Sequence, residues 1–232
     1  MSDAREQILA SIRRSLKRTG ALEGSMSQML DERLARHPVH IQPALQGDLA
    51  ARFVSKLEAV AGTAARVSSL SAVPDAVVDY LSAQALPLEV VMASAPMLAQ
   101  MDWPASLKIE RRIARREDHV TVTGAFAAVA ETGSLVLVSG RESPTTLNFL
   151  PDVHIVVLRR EQIVAHIEDV WSQLRRELAA MPRTINFITG PSRTADIEQT
   201  IQLGATAHAA CMSFSLRVND STRRRQDAKI TS

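Results

Sequence analysis

Aromatic side chains are scarce in this chain: one tyrosine, two tryptophans and five phenylalanines make up 3% of 232 residues. So few flat rings leave little stacking surface for single-stranded nucleic acid, and no nucleic-acid-binding motif compensates, so no nucleic-acid partner is expected. Cysteine is scarcer still. Cys211 stands alone, so the chain forms no internal disulfide and holds no iron–sulfur cluster by itself, since a cluster ordinarily takes four thiolates. No apolar run reaches the roughly 20 residues of a membrane-spanning helix. The N-terminus carries Asp3, Arg5 and Glu6 where a secretory signal places an apolar region, and the expectation is a soluble, cytoplasmic protein. An excess of one charge is missing as well, because 27 Lys and Arg face 25 Asp and Glu for a net charge of +2. Arginines do cluster at Arg111, Arg112, Arg115 and Arg116 and at Arg223 to Arg225, and with so little net field they read as solvated surface. No His, Cys and carboxylate set has metal-ligand spacing, so no metal is expected and the cofactor stays undetermined.

What the chain does have is enough apolar content, 46%, to bury one good core in a single α/β domain. Ala4 to Lys17 places Ile8, Leu9, Ile12 and Leu16 at helical spacing. Thr19 to Gly47, broken by Gly20, Gly24, Pro38 and Pro43, reads as a linker. Leu49, Phe53, Val54, Leu57 and Val60 form a second helical stripe ending near Gly62. Strands are then expected at 65–68, 88–93, 119–123, 134–139, 154–158 and 212–218, and helices at 74–83 and 160–180, with one helical turn at 96–101. This alternation predicts an α/β fold with a mostly parallel sheet flanked by helices. The expected domains are an N-terminal helix and linker arm over 1–47, an α/β domain over 48–218 and a basic flexible tail over 219–232.

Thr184 to Gln199, TINFITGPSRTADIEQ, carries the densest signal. An apolar run breaks into Gly190-Pro191-Ser192-Arg193-Thr194 and is expected to restart as a helix whose first turn holds Asp196 and Glu198. Free backbone N–H groups and the helix dipole at such a turn suit a phosphate or a carboxylate, with Ser192, Arg193 and Thr194 adding donors. Equally, Ser192 or Thr194 caps the helix and Asp196 complements its dipole with no ligand present. The pattern is neither a P-loop nor a dinucleotide fingerprint. The Gly140 to Thr146 loop also follows a strand, and both loops are expected to line one crevice at the carboxyl ends of strands.

Glu131 is the lone charge between Val120 and Gly140. Partly buried in a crevice, it would serve as a general base or an acyl-accepting nucleophile; on the surface it is a turn residue before Gly133. His154 opens a buried strand, where a histidine either bonds to the backbone or takes part in proton transfer.

Taken together, AETGSLVLVSG, LNFLPDVHIVVL and ITGPSRTADIEQTIQLG, in this order and spacing, resemble the LUD-domain family of lactate utilisation protein C, the YkgG-like proteins. The opening AREQILASIRRSL resembles that family's first helix, and His154 matches its LP-x-x-H pattern. The resemblance implies a fold like that of ribose-phosphate isomerase and CoA transferases, the latter using a covalent glutamate. It further implies a part in oxidation of L-lactate to pyruvate, with separate iron–sulfur subunits as partners and a small carboxylate or phosphate-bearing ligand. A homo-oligomer is compatible with it. One departure stands out: where the family continues from LG into V-H-G-P, this chain reads Leu203-Gly204-Ala205-Thr206-Ala207-His208. Three roles follow as expectations: an accessory subunit of a lactate-oxidising system, a self-standing isomerase or CoA-transferase-like enzyme using Glu131, or a scaffold docking through its N-terminal arm.

Overall fold

The computed structural model describes residues 2–17, 24–36 and 41–190, with the backbone of 193–194, 202–203 and 208–214. The chain divides into two units, Met1–Pro43 and Ala44–Ser232.

The first unit holds two helices, α1 (Ser2–Ser15) and α2 (Gly24–Arg36). Ile8 and Ile12 of the first, and Leu16 just beyond its end, are exposed. Helix α2 overturns the expectation of a linker over 19–47. Gly20, Gly24, Pro38 and Pro43 flank this segment rather than interrupt it, and SMSQMLDERLAR between them is rich in helix formers. None of its residues is buried, and Gln28, Glu32 and Arg36 bond along one face at four-residue spacing.

The second unit begins with α3 (Leu49–Glu58), started by Asp48, whose Oδ1 accepts from the Ala51 N–H at 2.8 Å. There follow β1 (Thr63–Val67), α4 (Val73–Ala83), β2 (Glu89–Met92), the single turn α5 (Pro96–Ala99), β3 (Lys108–Glu110), β4 (Val120–Gly124), β5 (Ala127–Val129) and β6 (Ser134–Val138). The chain continues through α6 (Thr146–Phe149), β7 (Val153–Arg159), β8 (Ile163–Val164), α7 (Ile167–Glu177), β9 (Ile185–Ile188), β10 (Arg193–Thr194), β11 (Gln202–Leu203) and β12 (His208–Phe214).

A six-stranded sheet of order β1-β12-β7-β4-β2-β3 is parallel throughout. This is the expected α/β architecture. A second, four-stranded sheet, β8-β5-β6-β9, is antiparallel except where β5 meets β8. Side chains alternate across a strand, and β7 shows how this builds layers. Its Ile155 and Val157 pack with Val77 and Leu81 of α4 and with Val122, while Val156 and Leu158 face Phe53 and Leu57 of α3 and Leu135 and Leu137 of β6. The far side of the second sheet, Ala127, Val129 and Val136, is closed by Val170 and Leu174 of α7. A strand buried on both faces reads as a continuous apolar run, as VHIVVL does.

Three further expectations change. The helix expected from Arg160 starts only at Ile167, because Ile163 and Val164 pair with Ala128 and Val129 and so extend the second sheet. The last strand starts at His208 rather than Met212, and 215–218 lie outside the described residues. The arginines at 111–116 are not uniformly solvated: Arg112 is half-buried and gives a two-pronged contact to Asp118, at 2.6 and 2.7 Å, and another to Glu110 at 2.6 Å. Arg223 to Arg225 lie outside the described residues.

Candidate functional site

Beyond β5 the chain turns through Ala130, Glu131, Thr132 and Gly133 into β6. The parallel pairing of β5 with β8 carries on into this turn, since the N–H groups of Ala130 and Glu131 donate to the carbonyls of Val164 and Ala165 at 2.9 and 3.1 Å. That register delivers the next residue, His166, to Glu131. Its Nδ1 lies 2.9 Å from Glu131 Oε2. In the tautomer that donates Nδ1–H to this carboxylate, Nε2 is the nitrogen left with a lone pair. The side chains of His166 and Glu131 are 12% and 29% exposed, shielded yet reachable. His166 is also held by its backbone: it caps α7, and its N–H donates to Asp169 Oδ2 at 2.9 Å.

Beside this pair runs a chain of hydroxyls. Thr132 Oγ1 and Ser134 Oγ are 2.7 Å apart, and Ser134 Oγ and Thr189 Oγ1 are 2.6 Å apart. The β6–β9 register, Leu135 opposite Ile188, brings them together. Gly133 and Gly190 both have φ of +76°, a conformation that costs glycine little. Both also lie against α3 and its exit: a Cβ on Gly133 would sit 2.7 Å from Lys56 Cβ, and one on Gly190 would sit 2.6 Å from Val60 Cγ2.

Of the residues expected in the site, Glu131 and Gly190 are therefore at the same end of the second sheet. Ser192 and Asp196 lie outside the described residues. Arg193 and Thr194 are described in backbone only and form the two-residue strand β10, paired antiparallel with Gln202 and Leu203, rather than a turn leading directly into a helix. Thr206 and Ala207 also lie outside the described residues. His154 is elsewhere: it is buried in the six-stranded sheet with Nε2 2.7 Å from Thr123 Oγ1, and burial holds its pKa down at about 4, so it is neutral near pH 7. Among the described residues the two loops do not line one crevice. Because β6 and β9 are antiparallel, Val138 faces Ile185, so the Gly140 loop and Gly190 stand at opposite ends of the second sheet.

The Gly140 loop instead borders a cleft of about 440 Å³ at the carboxyl ends of β2, β4 and β7, bounded by Met97, Phe126, Ser139, Ser143 and Arg159 among others. His166, Ser134 and Thr189 were not singled out from the sequence. His166-Ile167-Glu168-Asp169 does carry a helix-start signal, a partner for the free N–H three residues on and acids in the first turn, hidden by an apolar register that runs on smoothly from Ile163. Among the described residues no group of three or more His, Cys, Asp and Glu is arranged to hold a metal, and no helix is long and apolar enough to cross a membrane.

Fold and site together define an α/β protein with a parallel central sheet and a carboxylate–imidazole pair at a hairpin end of a second sheet. Residues 50–209 match the LUD domain, and the chain belongs to that family. It is similar to "Lactate utilization protein C" of Bacillus subtilis (strain 168), 32% identical over 123 residues, covering 51% of this chain and 50% of that protein. It is likewise similar to the protein of the same name from Geobacillus thermodenitrificans, 31% identical over 105 residues and 44% of each. The chain thus spans about half the length of the curated relatives it matches. A DUF162 family protein of Deinococcus radiodurans shares the fold, with a TM-score of 0.50 and 17% identity, covering 74% of this chain and 99% of that one.

Proposed function

We propose that this chain is a subunit of a cytoplasmic system that oxidises L-lactate to pyruvate, and that it binds a small carboxylate while separate iron–sulfur subunits carry the electrons. The names of its relatives support the pathway, and a single cysteine makes outside electron carriers necessary if clusters take part. One observation carries the biochemical role: the 2.9 Å contact of Glu131 with His166 Nδ1. A carboxylate fixed on one imidazole nitrogen orients the other as a general base. Oxidising a hydroxy acid to a keto acid breaks an O–H and a C–H bond: His166 Nε2 takes the hydroxyl proton, and the two electrons and proton of the C–H bond pass to a redox acceptor held by the partner subunits.

The test is lactate-dependent dye reduction in extracts of a strain lacking the chain, complemented at matched protein levels. Wild type restores the activity, whereas Glu131→Gln and His166→Gln reduce it by about a hundredfold or more. Arg193→Ala, tested alongside, reports on the β10 segment. Full activity in all three variants would leave a scaffolding role. An unchanged rate in the deletion strain would remove the chain from lactate oxidation.

A further inference from the structure

The cleft at the carboxyl ends of β2, β4 and β7 contains a cation with no counter-ion among the described residues. Arg159 ends β7, and its backbone is held by Gln162: the Arg159 main-chain N–H donates to Gln162 Oε1 at 2.8 Å, while Gln162 Nε2 donates to the carbonyls of Ala125 and Phe126 at 2.8 and 3.2 Å. The guanidinium Nε of Arg159 is buried and has no hydrogen-bond partner among the described residues. Among the described residues no carboxylate comes within 4.0 Å of this side chain. Arg112 is the contrast, with its guanidinium shared between Asp118 and Glu110. A guanidinium stays charged at any working pH, and partial burial of an unpaired charge costs free energy that an anion at the site would recover.

The surroundings narrow the ligand. Met97, Phe126 and Val138 supply an apolar wall. Gly124 keeps that wall close, because a Cβ there would stand 3.0 Å from Met97 Cε. Ser139 Oγ accepts from the Thr184 N–H, which leaves its own hydroxyl proton to donate. Glu142 and Glu177 stand exposed at the rim, the latter bonded to Gln173 and Arg176. One partly buried cation and two exposed carboxylates accept a single negative charge and repel a second. A volume of about 440 Å³ lies in the range of small-molecule sites, about 300–1,000 Å³, and leaves room for more than a carboxylate.

We propose that this cleft is a second ligand site, separate from the Glu131–His166 centre, in which Arg159 binds the carboxylate of an organic monoacid whose apolar body lies along Met97 and Phe126. The position agrees with the rule that open parallel sheets take ligands at their carboxyl ends. The proposal does not depend on lactate oxidation.

Calorimetric titration of the full chain tests it with three probes: 3-phenylpropionate, its neutral amide, and inorganic phosphate. The carboxylate binds saturably, and the amide and phosphate bind about tenfold more weakly or worse. Arg159→Gln lowers carboxylate affinity by about tenfold or more and leaves the amide unchanged. Arg159→Lys, which keeps charge and stem but loses the planar fork, falls between the two and guards against a folding defect in the glutamine variant. Equal affinity of wild type and both variants for the carboxylate overturns the proposal. So does phosphate binding as tightly as the carboxylate, or no saturable binding of the carboxylate to wild type.

Discussion

Glu131 and His154 were both visible in the sequence as polar residues in apolar surroundings, and the structure gives them opposite characters. Glu131 gains a histidine and stays within reach of solvent; His154 gains only a threonine hydroxyl in a dry core. Sequence shows which residue is out of place but not what stands opposite it, since that depends on strand register. For His154 the consequence is measurable. Burial lowers its pKa from 6.5 to about 4, so between those values the unfolded chain binds a proton that the folded chain refuses. Its contribution is therefore complete above about pH 6.5 and falls by about 3 kcal/mol as pH drops towards 4. Urea denaturation of wild type and His154→Gln across this range checks it: the stability gap between them narrows with falling pH, and a constant gap counts against a neutral buried imidazole. Gly133 gives a second test at this scale. Gly133→Ala places a methyl 2.8 Å from the Leu57 backbone nitrogen at a φ of +76°, and the expected loss is about 2–3 kcal/mol, read from the shift of the denaturation midpoint.

At the scale of elements, the long parallel strands and the helices α3 and α4 were legible because their periodicity agrees with their burial. The second sheet was legible only in part: β6 falls within the expected 134–139 and β9 in the apolar run before Gly190, but β5, β8 and the pairing into a separate sheet were not. Its strands β5 and β8 are three and two residues long, too short to show a period, and Ala127 and Ala128 carry no strand preference. Helix α7 shows local pattern losing to pairing, since Ile163 fits its stripe yet lies in a strand. Its true start depends on the reciprocal contact of His166 with Asp169. Asp169→Ala therefore costs about 1 kcal/mol of stability, and by freeing His166 it lowers lactate-dependent dye reduction while Glu131 is intact. Unaltered activity in a folded Asp169→Ala protein would show that His166 is positioned by Glu131 alone. The β3–β4 connection depends on Asp118, whose carboxyl lies below its usual range through the Arg112 guanidinium beside it. Asp118→Asn lowers the thermal midpoint at pH 7, and the difference from wild type shrinks in acid as the native carboxylate is itself protonated.

Across the whole second unit, β7 joins two cores, one with α4 and one with α3 and the second sheet. Both proposed sites sit on the edges of this arrangement, and neither shares a residue with the other. Their separation follows from the antiparallel β6–β9 pairing, which no reading of local pattern supplies. The same sheet order has a further effect. Strand β12 lies between β1 and β7, with Thr63 beside Ala210 and Ala210 beside Ile155. During synthesis β1 leaves the ribosome early, yet its neighbour among the described strands is β12, made last. A nascent chain stalled before His208 thus shows a lone β1 and an open edge on β7, two unpaired strands of the kind that chaperones cover and aggregates recruit.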